Sequence, residues 1–164
     1  MICSGSGADV INAGPGADII FAGDDDDVVR AGDGADVVRG GNGDDQIFAG
    51  QGRDQVRGEA GDDFISGGKG KDLLIGGSGS DDLRGNEGTD TINGGAGNDE
   101  LRGGQKADVI NGGSGNDNLI GGTRPDILIG GNGLDTYNGG SGRDSCANDP
   151  AGLIEQTTNC EVQS

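Results

Sequence analysis

Residues 112–120 read Gly112-Gly113-Ser114-Gly115-Asn116-Asp117-Asn118-Leu119-Ile120, and residues 40–48, Gly40-Gly41-Asn42-Gly43-Asp44-Asp45-Gln46-Ile47-Phe48, have the same outline. Stepping outward by nine, Asp recurs at Asp9, Asp18, Asp27, Asp36, Asp45, Asp54, Asp63, Asp72, Asp81, Asp90, Asp99, Asp108, Asp117, Asp126, Asp135 and Asp144, sixteen periods with no miss and no insertion. With this Asp placed at position 6, position 8 runs from Ile11, Ile20 and Val29 through Leu74, Leu83 and Ile92 to Tyr137 and Cys146, apolar or nearly so throughout. Glycine fills position 2 in 14 repeats, position 4 in 13 and position 1 in 11, which accounts for 38 of the 39 glycines.

A period of nine excludes a helix. Nine residues make about 2.5 helical turns, which would throw successive apolar residues onto opposite faces, and three glycines per repeat oppose helix formation further. A short strand and a turn remain. Positions 7 to 9 read as a three-residue strand with position 8 facing inward, and positions 1 to 6 as a turn whose glycines supply positive φ and close backbone approach. One nonapeptide reverses the chain once, so two of them complete a coil with a strand on each side, and repeats i and i+2 stack in parallel. The expected class is an all-β solenoid of 16 half-turns, about 8 coils and about 38 Å long. Residues 1–147 form the solenoid and residues 148–164 an irregular C-terminal capping tail.

Without the period, the composition would read as disorder. Gly and Pro together make about a quarter of the 164 residues, aromatics are 2%, and the formal net charge is −18. A polyanion without basic patches is repelled by nucleic acid and by anionic membrane surfaces. The chain has no apolar run of membrane-spanning length and no charged-then-apolar leader, so neither membrane insertion nor a signal peptide is expected from it. Histidine is absent, which removes the Ser/His/Asp, Cys/His and His-metal constellations, so no enzyme is expected.

Stacking places Asp9, Asp27 and every second Asp thereafter in one ladder, the odd edge, and Asp18 through Asp144 in a second, the even edge. One aliphatic residue per nonapeptide makes a thin core. Like charges ~4.8 Å apart repel by roughly 1 kcal/mol per pair even in water, so bare ladders oppose the stack unless a cation sits between rungs. Hard oxygen ligands with no Cys or His in the turns select Ca²⁺ over transition metals, and a flexible oxygen cage suits it better than Mg²⁺. The alternative is a metal-free solenoid in which Asp only forms Asx-turns.

The repeat Gly-Gly-x-Gly-x-Asp-x-apolar-x resembles the nonapeptide of RTX (hemolysin-type) calcium-binding proteins, over residues 4 to about 147. The resemblance implies a right-handed parallel β-roll in which Ca²⁺ is held between turns i and i+2 by the position-6 Asp and by backbone carbonyls of both turns. All sixteen ladder Asp residues are therefore candidate ligands, and pairing rungs within two ladders gives up to about 14 ions, seven per edge. Five residues depart from glycine: Asp25, Lys106 and Arg124 at position 4, Glu59 and Asn86 at position 2. Asn tolerates positive φ, and the others carry a steric cost of roughly 1 kcal/mol if the turn is kept. Asn86, Lys106 and Arg124 share the even edge, where fewer ions are expected between Asp90 and Asp144 than opposite them.

On the outward strand positions, Arg30, Arg84 and Arg102 share the odd-numbered sheet, and Arg39 and Arg57 the even one, read as a solvated face balancing nearby carboxylates. The even-numbered sheet also carries Ile19, Phe21, Val37, Leu73, Ile75, Val109, Ile127 and Ile129, which marks it as a possible surface for a protein partner or for self-association. The register makes Met1-Ile2-Cys3 the strand of a repeat whose turn lies upstream. After Ala147 the period stops, and Leu153, Ile154 and Val162 are expected to cover the open end of the core. A Cys146–Cys160 disulfide closing a loop of about 15 residues would add roughly 3 kcal/mol and fits an oxidising, extracellular setting. Cys3 is left as a free thiol or the partner of something upstream. The sequence thus reads as a secreted calcium-binding β-roll that folds cooperatively on Ca²⁺. The alternatives are an adhesive module with structural calcium and an accessory domain of a larger secreted enzyme.

Overall fold

The computed structural model describes residues 1–147 and 156–163. Among the described residues nineteen strands form two parallel sheets, one of ten strands and one of nine, and there is no helix. Each strand pairs with the strand one coil away: Ile20, Val38 and Val56 are register partners in series, each 18 residues on. The two-repeat coil expected from the period is therefore the repeating unit of the structure. Ile2 and Cys3 pair with Ile20 and Phe21, so the first residues occupy the strand that the register assigns to them.

The strands are longer than expected. Most run for six residues, as Val37–Asn42 does, and so include positions 1 to 3 of the following repeat. The turn shrinks to positions 4 to 6. Glycine at position 2 is demanded by stacking: at Gly77, with φ +134°, a Cβ would sit 2.0 Å from the carbonyl oxygen of Glu59 in the coil below. The five departures from glycine keep positive φ but at lower values, between 74° and 86° at Asp25, Glu59, Asn86, Lys106 and Arg124, against 97° or more at the positive-φ glycines of these positions other than Gly140. The stack passes through them unbroken.

Every position-8 side chain points inward, none more than 6% exposed. A second, smaller column lies beside it at position 1, where Ala22, Ala31 and Ala49 are fully buried. Sequence reading had placed that column in the turn. The one aromatic in the core, Tyr137, is satisfied: the Gly130 N–H donates to its hydroxyl at 3.0 Å, and the hydroxyl donates to the Ala147 carbonyl at 3.1 Å.

The outward arginines meet carboxylates and rings. Arg84 pairs with Asp82 at 2.6 Å, and Arg102 pairs with Asp82 at 3.1 Å and with Glu100. Arg30 lies over Phe48 and Arg84 over Phe64. The apolar set of the ten-stranded sheet is split. Ile19 and Phe21 near one end, and Val109, Ile127 and Ile129 near the other, are exposed, whereas Val37, Leu73 and Ile75 between them are half-buried. No helix is long and apolar enough to cross a membrane among the described residues.

The described part of the tail carries two short strands. Gln156–Thr158 adds a strand beside Thr136–Ser141, and Glu161–Gln163 adds one beside Ser145–Ala147. Their registers, Thr136 with Gln156 and Ser145 with Glu161, step by 20 and 16 residues instead of 18, so the coil continues after the repeat has ended. The backbone of Val162 pairs with Cys146, while Leu153 and Ile154 lie outside the described residues. Cys146 and Cys160 form a disulfide with Cα atoms 5.7 Å apart, and Cys3 is free and exposed.

Leu73 and Leu74 are sequence neighbours on opposite faces, the first half-buried and the second fully buried. Leu74→Ala is expected to cost about 3 kcal/mol through the cavity it leaves, and Leu73→Ala less than about 1 kcal/mol. Urea unfolding in calcium measures both, and equal losses would contradict the facing described here.

Candidate metal centre

The ladder Asp is the last residue of each turn, and the stack uses its backbone completely. Its carbonyl accepts from the N–H of the first strand residue one coil on, as Asp27 does from Gln46 at 2.8 Å and Asp117 from Thr136 at 2.8 Å. Its N–H donates to Oδ1 of the next rung: Asp27 to Asp45 at 2.9 Å, Asp72 to Asp90 at 2.8 Å, Asp117 to Asp135 at 2.9 Å. This bond pulls each carboxylate inward, so the rungs from Asp27 to Asp144 are only 1–2% exposed. Asp9 and Asp18, in the first coil, are half-buried. The structure therefore assembles the sixteen expected residues into two ladders, with fourteen of them buried.

In those fourteen the second oxygen, Oδ2, has no hydrogen-bond partner. A buried anionic oxygen without a partner is costly, and here the cost recurs at every turn. In eleven of the fourteen repeats the oxygen faces a space kept clear by glycine at position 1; in the repeats of Asp27, Asp36 and Asp54 that position is Ala22, Ala31 and Ala49. At Gly40 a Cβ would lie 2.1 Å from Asp45 Oδ2 and 2.8 Å from the Gly58 carbonyl oxygen of the next coil; at Gly94 the same distances, to Asp99 and Gly112, are 2.2 and 2.7 Å. On the even edge Gly85 stands 2.5 Å from Asp90 Oδ2 and 2.7 Å from the Gly103 oxygen. A carboxylate oxygen of one turn and a carbonyl oxygen of the next thus converge on one glycine-lined cradle, repeated up both edges.

Among the described residues no three acidic or cysteine side chains meet at one point. Any cation held here draws on one carboxylate per turn and otherwise on backbone carbonyls. An all-oxygen, carbonyl-rich donor set fits Ca²⁺.

The electrostatics agree with an unmet charge. Burial pushes the carboxyls of Asp63 and Asp108 up to about 7, and those of Asp45, Asp54, Asp72, Asp81, Asp117 and Asp126 to about 6, from an ordinary 3.8. The backbone N–H bond from the rung below pulls the other way, and the neighbouring carboxylates add a smaller upward push. Desolvation outweighs the hydrogen bond at each of these rungs.

A second row escaped sequence reading. On the odd edge the position-5 side chain also bonds along the stack: Asp44 N–H donates to Asp26 Oδ1 at 2.9 Å, Asp62 N–H to Asp44 Oδ1 at 2.8 Å, and Asn116 N–H to Asn98 Oδ1 at 2.7 Å. Its signal is an Asp or Asn recurring every 18 residues, which a nine-residue alignment mixes with Ala17, Ala35, Arg53 and Lys71 of the other edge.

A family model, the RTX calcium-binding nonapeptide repeat in four copies, matches the chain in eight overlapping stretches, from residues 4–38 to residues 111–146. A search of curated proteins finds no match. Since the family matches run through the same residues as the two ladders, the chain belongs to the RTX calcium-binding nonapeptide-repeat family.

Proposed function

We propose that the chain is a secreted, non-catalytic calcium-binding β-roll whose folding is coupled to ion binding. The observation that carries this reading is the set of fourteen buried carboxylate oxygens without hydrogen-bond partners among the described residues, nine of them beside a glycine carbonyl of the next coil. Ca²⁺, when bound, supplies the positive charge that allows those oxygens to be buried ionised. Up to fourteen ions would be held, seven per edge, by successive ladder residues from Asp9 to Asp135 and from Asp18 to Asp144. Each rung that is ordered also fixes the Oδ1 acceptor for the rung below, so order spreads from turn to turn and folding is cooperative. At neutral pH the calcium-free ladders repel, and the glycine-rich chain lacks the burial to overcome its conformational entropy.

Sites built largely from flexible turns belong to the weak class, roughly 10⁻⁴ to 10⁻³ M, matched to extracellular calcium. The Cys146–Cys160 disulfide supports the same compartment. A second reading, an adhesive or self-associating module with structural calcium, is favoured by the exposed apolar residues at both ends of the ten-stranded sheet. Light scattering in calcium separates the two, a clean monomer removing the second.

Circular dichroism tests the coupling. Strand signal is expected in millimolar calcium and its loss in chelator at pH 8; signal unchanged by chelator would refute the reading. The raised carboxyls add a pH dependence of unusual sign. A folded chain whose carboxyls titrate above their unfolded value binds more protons between the two values. The stability of the calcium-free roll is therefore fully present below about pH 4 and falls as pH rises toward 6 or 7. In chelator, acidification from pH 8 to about pH 4.5 is expected to restore strand signal that calcium alone restores at pH 8. A calcium-free chain that stays unfolded throughout this range would contradict the assignment of the ladder as the source of instability.

A further inference from the structure

The two edges of the roll carry the same ladder but opposite surroundings. In positions 3 to 5 of the odd-edge turns stand Asp24, Asp25, Asp26, Asp44 and Asp62, with no Lys or Arg. The same positions on the even edge hold Arg53, Lys69, Lys71, Lys106, Arg124 and Arg143, against only Asp33 and Glu87. Lys69 is engaged with Glu87 at 3.9 Å, but Arg53 and Lys71, one coil apart, have no ion-pair partner among the described residues.

Geometry brings these charges to the ladders. On the even edge a cavity of about 300 Å³ is lined by Arg53 and Lys71 together with the ladder residues Asp54 and Asp72. On the odd edge a cavity of about 500 Å³ is lined by Asp62, Asp63, Asp81 and Asp99, and by Asp82 and Glu100, which pair with Arg84 and Arg102. Of these, Asp63, Asp81 and Asp99 are ladder rungs buried to 98% whose Oδ2 atoms are unpartnered. The odd-edge turns are also tied to one another by position-5 hydrogen bonds, the Asp44 N–H donating to Asp26 Oδ1 and the Asp62 N–H to Asp44 Oδ1. The even edge has Ala17, Ala35, Arg53, Lys71, Thr89, Ala107, Pro125 and Arg143 at that position, none of which offers a carboxylate or carboxamide acceptor.

We infer that the two edges load calcium unequally, the odd edge at lower free calcium than the even edge, with the position-5 residues setting the difference. This deepens the calcium-binding reading above and rests on it. On the odd edge the position-5 carboxylates attract the ion, and their bonds to the neighbouring turn add to the order that each bound ion fixes. On the even edge Arg53 and Lys71 repel it. A unit charge about 8 Å from a doubly charged ion in water changes its binding roughly fivefold, so two such residues separate the edges by more than tenfold. The chain is thus a graded sensor, half-loaded over a window of calcium concentration in which one edge is set and the other still open.

The test uses the whole chain, loaded in calcium and dialysed against buffers of decreasing free calcium, with retained ions counted by atomic emission. Wild type is expected to lose its ions in two steps more than tenfold apart. Arg53→Asp with Lys71→Asp should strengthen the weaker step at least fivefold and leave the stronger within twofold. Arg30→Asp with Arg57→Asp, the same charge change on the outward strand faces, should move neither. A single step unmoved by the even-edge substitutions, or an equal shift from both double variants, would overturn the inference while leaving the calcium reading intact. Failure to retain calcium at any concentration would overturn the calcium reading itself.

Discussion

A carboxylate can be buried ionised only if something replaces the water it loses, and in this fold the demand recurs every nine residues at a spacing of about 4.8 Å. From Asp27 onward one oxygen of each ladder Asp is satisfied by the backbone N–H of the rung below. The other has no hydrogen-bond partner among the described residues. The remaining features of the molecule arrange themselves around that second oxygen. At nine rungs, from Asp45 to Asp126, glycine at position 1 clears the space in front of it and a glycine carbonyl of the next coil is brought to the same space, and burial raises the cost of leaving it unmet.

The hydrophobic contribution is subordinate. The core is one column of aliphatic side chains with a second column of alanine or glycine beside it, narrow enough that the two sheets lie close and nearly all backbone between them is spoken for. Such a core can select the register but has little surplus with which to bury fourteen charges. Under the proposed function the fold is conditional: the same ladders that oppose the stack at neutral pH would become its fasteners once countercharge is supplied by protons or by a divalent cation.

Much of this was legible in the sequence because both the Asp column and the position-8 column are strictly periodic, and a period of nine admits no helix. The two stacked Asp ladders were legible for the same reason. The strand lengths were not. Gly40-Gly41 reads locally as turn, yet both residues lie within a strand, and the need for glycine comes from a carbonyl 18 residues away. The position-5 row was hidden because its period is 18 and its two halves carry unlike residues: Asp44 and Asp62 on one edge, Arg53 and Lys71 on the other. The tail strands Gln156–Thr158 and Glu161–Gln163 lack any repeat, and their pairing depends on the exposed edge left by the last coil.

The most direct test of the central claim is anomalous diffraction from crystals of the chain grown in calcium. The account predicts peaks between successive turns along both edges, with ladder carboxylate and turn carbonyl oxygens at about 2.3–2.6 Å. Peaks confined to surface carboxylates such as Asp24 and Asp33, with the ladder oxygens unligated, would contradict it.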